Sequence, residues 1–182
     1  VTLDIRDTVF TGNRSNSYNA AVLLDNSGSG RLDVAIARCV FRANEAADNY
    51  GALTLSGSGE VSVAIDDTTF DRNGAMRAGA LAVLARGGAW LVSVTRSAFI
   101  DNGAAEGGAI WATSDASARV IFELANTSFF GNAAIVGGAV ESRMAAGILS
   151  FVHATIVGNQ AAHFGGGVSI GNGSAGIVGF RA

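Results

Sequence analysis

The chain has no proline and no lysine, one cysteine (Cys39) and two histidines (His153 and His163) in 182 residues. A single cysteine excludes an intrachain disulfide and a cysteine-based zinc site. Without lysine there is no Gly-Lys-Ser/Thr phosphate loop, and no Gly-x-Gly-x-x-Gly opens a helix. The two histidines are ten residues apart and have no partner at metal-ligand spacing, so no metal site and no cofactor is expected. No run approaches 18 apolar residues, which excludes a transmembrane helix. Twelve arginines against 15 acidic residues leave a net charge of −3. That balance gives no reason to expect nucleic acid or an anionic membrane as partner. The missing proline, set beside 25 glycines, suits paired strands joined by tight corners, because a ladder strand needs every N–H.

What is present is a repeat. Phe-x-x-Asn occurs at Phe10–Asn13, Phe41–Asn44, Phe70–Asn73, Phe99–Asn102 and Phe129–Asn132, with Ile156–Asn159 as a sixth copy. A small-residue and aliphatic segment follows each one: Ala21-Val22, Gly51-Ala52-Leu53, Gly79-Ala80-Leu81, Gly107-Gly108-Ala109-Ile110, Gly137-Gly138-Ala139-Val140 and Gly165-Gly166-Gly167-Val168. The aromatic positions are spaced by 31, 29, 29 and 30 residues, then by 27 to Ile156. Periods of this length mark solenoids, propellers or arrays.

The residues leading into each Phe alternate with a period of two: Leu3 and Ile5, Val34 and Ile36, Val63 and Ile65, Val92 and Val94, Phe122 and Leu124, Leu149 and Phe151. This is the pattern of a half-buried strand. A second, shorter alternating strand follows the glycines. Two or three strands per repeat predict an all-β parallel β-helix of about six coils, roughly 29 residues each, as a single domain over 1–182. A propeller blade needs about 40 residues, and the leucine-rich signature is missing. Stacked coils place equivalent residues in columns about 4.8 Å apart. An asparagine ladder (Asn13, Asn44, Asn73, Asn102, Asn132, Asn159) is expected beside a phenylalanine column (Phe10, Phe41, Phe70, Phe99, Phe129), with each Asn bonding its own backbone and the Asn of the next coil. The column Thr8, Cys39, Thr68, Ser97, Thr127, Ala154 makes Cys39 a buried substitute for Ser or Thr. A charge column, Asp7, Arg38, Asp67, Arg96, Asn126, His153, predicts that each Asp lies between Arg neighbours, with Arg42 beside Asp71 and Arg72 near Asp101.

The paired Phe-x-x-Asn and Gly-Gly-Ala-Ile/Leu/Val signatures resemble the repeats of the polymorphic outer membrane proteins, best known from chlamydiae. The fit is best at Phe99–Asn102 with Gly107–Ile110 and at Phe129–Asn132 with Gly137–Val140. It is poorest in the first repeat, where Asn19-Ala20-Ala21-Val22 lacks the glycines. The resemblance implies a right-handed parallel β-helix and a secreted or cell-surface, adhesin-like rod.

Pectin- and alginate-degrading enzymes use the same scaffold, so the fold does not exclude catalysis. The weak candidates for such chemistry are Asp66, Asp67, Asp71 and Asp101 with Arg72 and Arg96. Two carboxylates at suitable separation serve acid–base work; the competing reading is solvated charge in cross-coil pairs, and no catalytic signature accompanies them. Outward positions turn apolar toward the C-terminus, at Leu91, Ile121, Ile148 and Val152. They form an interface stripe unless a loop such as 113–119 folds over them. Val1 opens in a core strand and Ile177–Phe180 starts a further coil, so the segment reads as part of a longer chain or as a unit that stacks end to end. The expected function is a non-enzymatic structural or binding module whose outer columns and corners (25–31, 56–60, 85–89, 113–119, 143–146, 171–176) meet a protein or glycan partner. The alternatives are a carbohydrate-active β-helix enzyme and a self-assembling filament subunit.

Overall fold

The computed structural model describes residues 1–171 and 177–181; most of the 171–176 corner therefore lies outside the described residues. Among them there is no helix, and every strand pairing is parallel. Three parallel sheets run the length of the rod. The leading sheet has seven strands, Thr2–Arg6, Arg31–Ala37, Glu60–Asp66, Ala89–Thr95, Arg119–Ala125, Gly147–Val152 and Ile177–Arg181. The Phe sheet has six three-residue strands, from Val9–Thr11 to Thr155–Val157. The third sheet has six, from Val22–Asn26 to Val168–Ile170. The chain is therefore a parallel β-solenoid of about six turns.

Register follows the repeat. Leu3 pairs with Val34, Val34 with Val63, Val63 with Val92, Val92 with Phe122, and Phe122 with Leu149. A one-residue slip would turn every one of these side chains to solvent, so the alternation alone pins the pairing. The inward residues of the three sheets make one continuous core, which includes Val63, Val92, Phe122, Leu53, Leu81 and Ile110. The phenylalanines stack face over face, with ring centroids 4.7, 4.9, 4.7 and 4.9 Å apart from Phe10 to Phe129. The inter-strand spacing sets that distance.

The asparagine ladder is present and has a direction. The backbone N–H and Nδ2 of Asn44 both donate to Oδ1 of Asn73, at 3.0 and 2.9 Å. Asn73 donates in the same way to Asn102, Asn102 to Asn132, and Asn132 to Asn159. Each Nδ2 also donates back to the Phe carbonyl of the preceding coil, as Asn102 does to Phe70 at 3.0 Å. The bonds thus run between coils; the own-backbone bond expected from sequence is confined to Asn159, which reaches Val157.

The hydroxyl column is a second ladder. Thr68 Oγ1 donates to the Asp66 carbonyl at 2.9 Å, and the Thr68 N–H donates to Ser97 Oγ at 3.1 Å. Cys39 occupies this column fully buried, with Sγ 3.3 Å from the Ala37 carbonyl. Cys39→Ser is expected to change stability by less than about 1 kcal/mol, since a hydroxyl serves the same partners. Ellman titration of the native chain should find no reactive thiol until denaturant unfolds it.

The corners are built by the left-handed conformation, and mostly by residues other than the glycines that tight corners lead one to expect. Asp7, Arg38, Asp67, Arg96, Asn126 and His153 all have φ between 47 and 53°. Their counterparts two residues after each Phe, and after Ile156, are left-handed as well: Gly12, Ala43, Arg72, Asp101, Gly131 and Gly158. Non-glycine residues adopt this conformation reluctantly, Asp and Asn less so than most. Ala43 has no polar side chain to favour it and is exposed. Ala43→Gly should therefore raise stability by about 0.5 kcal/mol, the left-handed penalty less the entropy of the added glycine.

Candidate functional site

The carboxylates singled out from the sequence are spread over two coils, and two of the four, Asp66 and Asp71, are engaged by arginines. Asp71 is buried on the Phe sheet between Arg42 (2.8 Å) and Arg72 (3.0 Å). The Arg72 hydrogen bond, with Arg42 behind it, holds its carboxyl below the ordinary aspartate range against the cost of burial. A group held ionised in this way is a poor general acid. Asp66 accepts hydrogen bonds from Thr95 and Arg96. Asp67 and Asp101 stand on left-handed corners and take part in no ion pair among the described residues.

The alternating charge column is therefore only partly paired. Asp7 and Arg38 make a two-point contact, both bonds 2.7 Å. Arg96, expected against Asp67, bonds Asp66 on the strand end instead, and Arg72, expected near Asp101, bonds its own neighbour Asp71. Left-handed corners do not by themselves prevent pairing, since Asp7 and Arg38 bond from corner to corner; Arg96 and Arg72 turn instead to strand carboxylates within their reach. His153 occupies the same column and His163 lies edge-on to Phe164. Among the described residues no three His, Cys, Asp or Glu side chains come together as a cation site.

A different polar cluster was missed. It lies on the outer face of the third sheet, which is buried where sequence alternation predicted solvent. Tyr50, Ala78, Ala82, Leu84 and Trp111 form a small second core there. Tyr50 stacks on Trp111 at 5.9 Å, and the Arg77 guanidinium sits 5.4 Å above the Trp111 ring. Arg77 bonds Glu106 at 2.9 Å, Glu106 bonds Arg143 at 3.1 Å, and Arg143 bonds Glu141 at 2.7 Å. Glu141 is 1% exposed, and its Oε2 and the neighbouring Trp111 Nε1 have no hydrogen-bond partner among the described residues. Burial pushes the Glu141 carboxyl above the ordinary glutamate range; Arg143 opposes the shift and Glu106 adds to it. The one available signal was the break in the outward column, where Trp111 and Glu141 replace the smaller Thr54 and Ala82.

The sign of the pH effect follows. A carboxyl raised on folding contributes its stability below the unfolded value and loses it as pH rises through the folded one. Asp71 acts oppositely: its contribution is present above the unfolded value and lost as pH falls through the depressed one. Glu141→Gln removes only the first effect. The stability of the variant relative to the natural chain should therefore rise from pH 4 to pH 7 in parallel urea titrations. A difference that does not vary with pH would overturn the assignment.

The apolar stripe is present, and no described residue closes over it. Leu91, Ile121 and Ile148 are vertical neighbours, and each is 40–50% exposed. They floor a groove of about 690 Å³ edged by Arg31, Glu60 and Arg119. Segment 113–119 does not close over it, although Ala118 from that segment helps line it. Val152 stands apart: it pairs with Ala125 in another column, is half-buried, and has Arg181 as its next neighbour. Ile177 is the residue that extends the stripe.

No family model matches the chain, and neither a curated protein nor a solved structure is similar to it beyond chance.

Proposed function

We propose that this chain is a non-enzymatic, rigid display module of a secreted or cell-surface protein. Its ladders hold the backbone stiff while outer columns and corners meet a protein or glycan partner. The observation that carries this reading is the engagement of its best-placed carboxylates: Asp66 and Asp71 are neutralised by arginines of the same or an adjacent coil, as register-setting charges are. The resemblance of the repeats to those of polymorphic outer membrane proteins supports the location and the right-handed coil.

A second reading is favoured by one feature. Glu106 and Glu141 share Arg143, and Glu141 resists ionisation. Two carboxyls in unlike environments are the arrangement that glycosidic-bond chemistry uses. One experiment separates the readings. The chain is incubated with polygalacturonate, alginate and neutral glycans, product is followed, and binding to the same polymers is measured in parallel. Binding or no interaction, with no turnover, is expected. Turnover that disappears in Glu141→Gln or Asp67→Ala would replace the display reading with the enzymatic one.

A further inference from the structure

We infer that the outer face of the leading sheet, centred on Ile121, is a two-fold interface between two copies of this chain. The strand Arg119–Ala125 carries Arg119, Ile121 and Glu123 outward, and all three are exposed. The order is cation, apolar residue, anion, with Ile121 midway. Arg119 and Glu123 are too far apart to bond each other, about 13 Å along an extended strand. Neither makes an ion pair with any other described residue. On the first two coils of this face charges are satisfied within one copy: Arg31 bonds Asp33 at 2.8 Å, and Arg6 bonds Asp4 at 2.7 Å; Glu60, in the side column of Arg31, makes no ion pair among the described residues. In the coil of Ile121 the position corresponding to Asp33 is apolar, so Arg119 has no such neighbour.

A two-fold axis parallel to the rod and over the stripe makes the surface complementary to itself. Ile121 meets Ile121 of the second copy, with Leu91 on Leu91 below and Ile148 on Ile148 above. The two side columns exchange, so Arg119 lies opposite Glu123 of the second copy, and Glu123 opposite its Arg119. Residues flanking the stripe in the adjacent coils are small: Ala89 and Ser93 beside Leu91, Ala146 and Ser150 beside Ile148. They let two sheets approach to about 10 Å, the spacing that aliphatic side chains fill between packed sheets. The opposite end of the same column is Thr2, Asp33 and Ser62, so the contact stays centred on the apolar half. A heterologous apolar ligand would need no such balance of charge about Ile121. End-to-end stacking would leave this face open.

Sedimentation velocity on the whole chain tests this. The natural chain should form a species of two copies and nothing larger as concentration rises. Arg119→Glu places two acidic pairs across the interface and Glu123→Arg places two basic pairs; each should weaken dimerisation by at least about tenfold. Mixing the two variants should restore a dimer, because both flanks of one copy are then acidic and both flanks of the other basic, so opposite charges meet on either side of the stripe. Ile121→Ser should give a monomer. Circular dichroism checks that each variant keeps its strands, and the mixing experiment stands even if Ile121→Ser does not fold. A monomeric natural chain, growth beyond two copies, or two charge variants that stay apart on mixing would overturn the inference.

Discussion

Asn102→Ala should destabilise the chain by about 4 kcal/mol, because several buried polar groups lose partners that water cannot replace, at about 1–3 kcal/mol each before relaxation. Asn102 is buried at the centre of the ladder. Its Oδ1 accepts both the backbone N–H and Nδ2 of Asn73, each at 2.9 Å, and its Nδ2 donates to the Phe70 carbonyl and to Asn132. Truncation therefore removes four hydrogen bonds and leaves the Asn73 N–H and the Phe70 carbonyl of the preceding coil without these partners, while Asn132 Oδ1 keeps the Asn102 backbone N–H. The same change at the first rung is the internal control. Asn13 is exposed and donates to Asn44, but its own Oδ1 accepts nothing from a preceding coil. Asn13→Ala loses one half-exposed side-chain bond and should cost less than about 1 kcal/mol. Urea denaturation of the two variants measures the difference. A solenoid touches only its neighbours, so a cut at the middle rung also weakens coupling between the halves and should lower the m-value of Asn102→Ala. Equal losses at the two sites would mean that the ladder is not what joins the coils.

Gly108→Ala should cost about 3 kcal/mol or more, at the upper end of overpacking penalties, because the obstructing atoms are all backbone of the next coil. A Cβ at residue 108 would lie 2.1 Å from the Gly138 carbonyl oxygen and 2.7 Å from that of Ala133. Gly79 and Gly138 face the next coil in the same way, at 2.4 and 2.1 Å. This column is glycine because two successive coils nearly touch there; the residue before it, Gly107, has a left-handed backbone with φ of +61°, and a Cβ on it would meet the Ile110 carbonyl oxygen of its own coil at 2.2 Å. Gly103 supplies the contrast within the same coil. It has open space around its missing Cβ and no left-handed backbone, so Gly103→Ala should be neutral or stabilising by about 0.5 kcal/mol. Thermal and urea unfolding of the pair decide the matter: a Gly108→Ala chain as stable as Gly103→Ala would remove close approach as the reason for the glycine.

Much of the fold was legible because stacking turns a period in the sequence into a column in space. The phenylalanines and asparagines were assigned to their columns from spacing alone, and so were the hydroxyl column and the place of Cys39 in it. The stripe residues Leu91, Ile121 and Ile148 were legible as well, since an apolar residue at an outward position breaks alternation. The candidate sites were less so. Arg96 reaches Asp66 and Arg72 reaches Asp71, although Arg38 bonds Asp7 from corner to corner; a long side chain has more than one carboxylate within reach, and nothing in a repeat of 29 states which it takes. Glu141 and Trp111 were passed over because their surroundings come from out-of-phase residues: Tyr50 from two coils below Trp111, and Arg77 and Glu106 from the segments that precede the third-sheet strands.

By itself the amino-acid sequence determined the parallel stack, its register and the inward face of every leading strand, since hydrophobic alternation and a constant period admit one way of laying coil on coil. Only the tertiary structure decided which arginine holds which acid, why the second glycine of Gly107-Gly108 and of Gly137-Gly138 lies against the backbone of the next coil, and that the outer face of the third sheet is a second small core. Those outcomes depend on distances across corners and between coils of less than an ångström to a few ångströms, and such distances arise only once the chain has closed on itself.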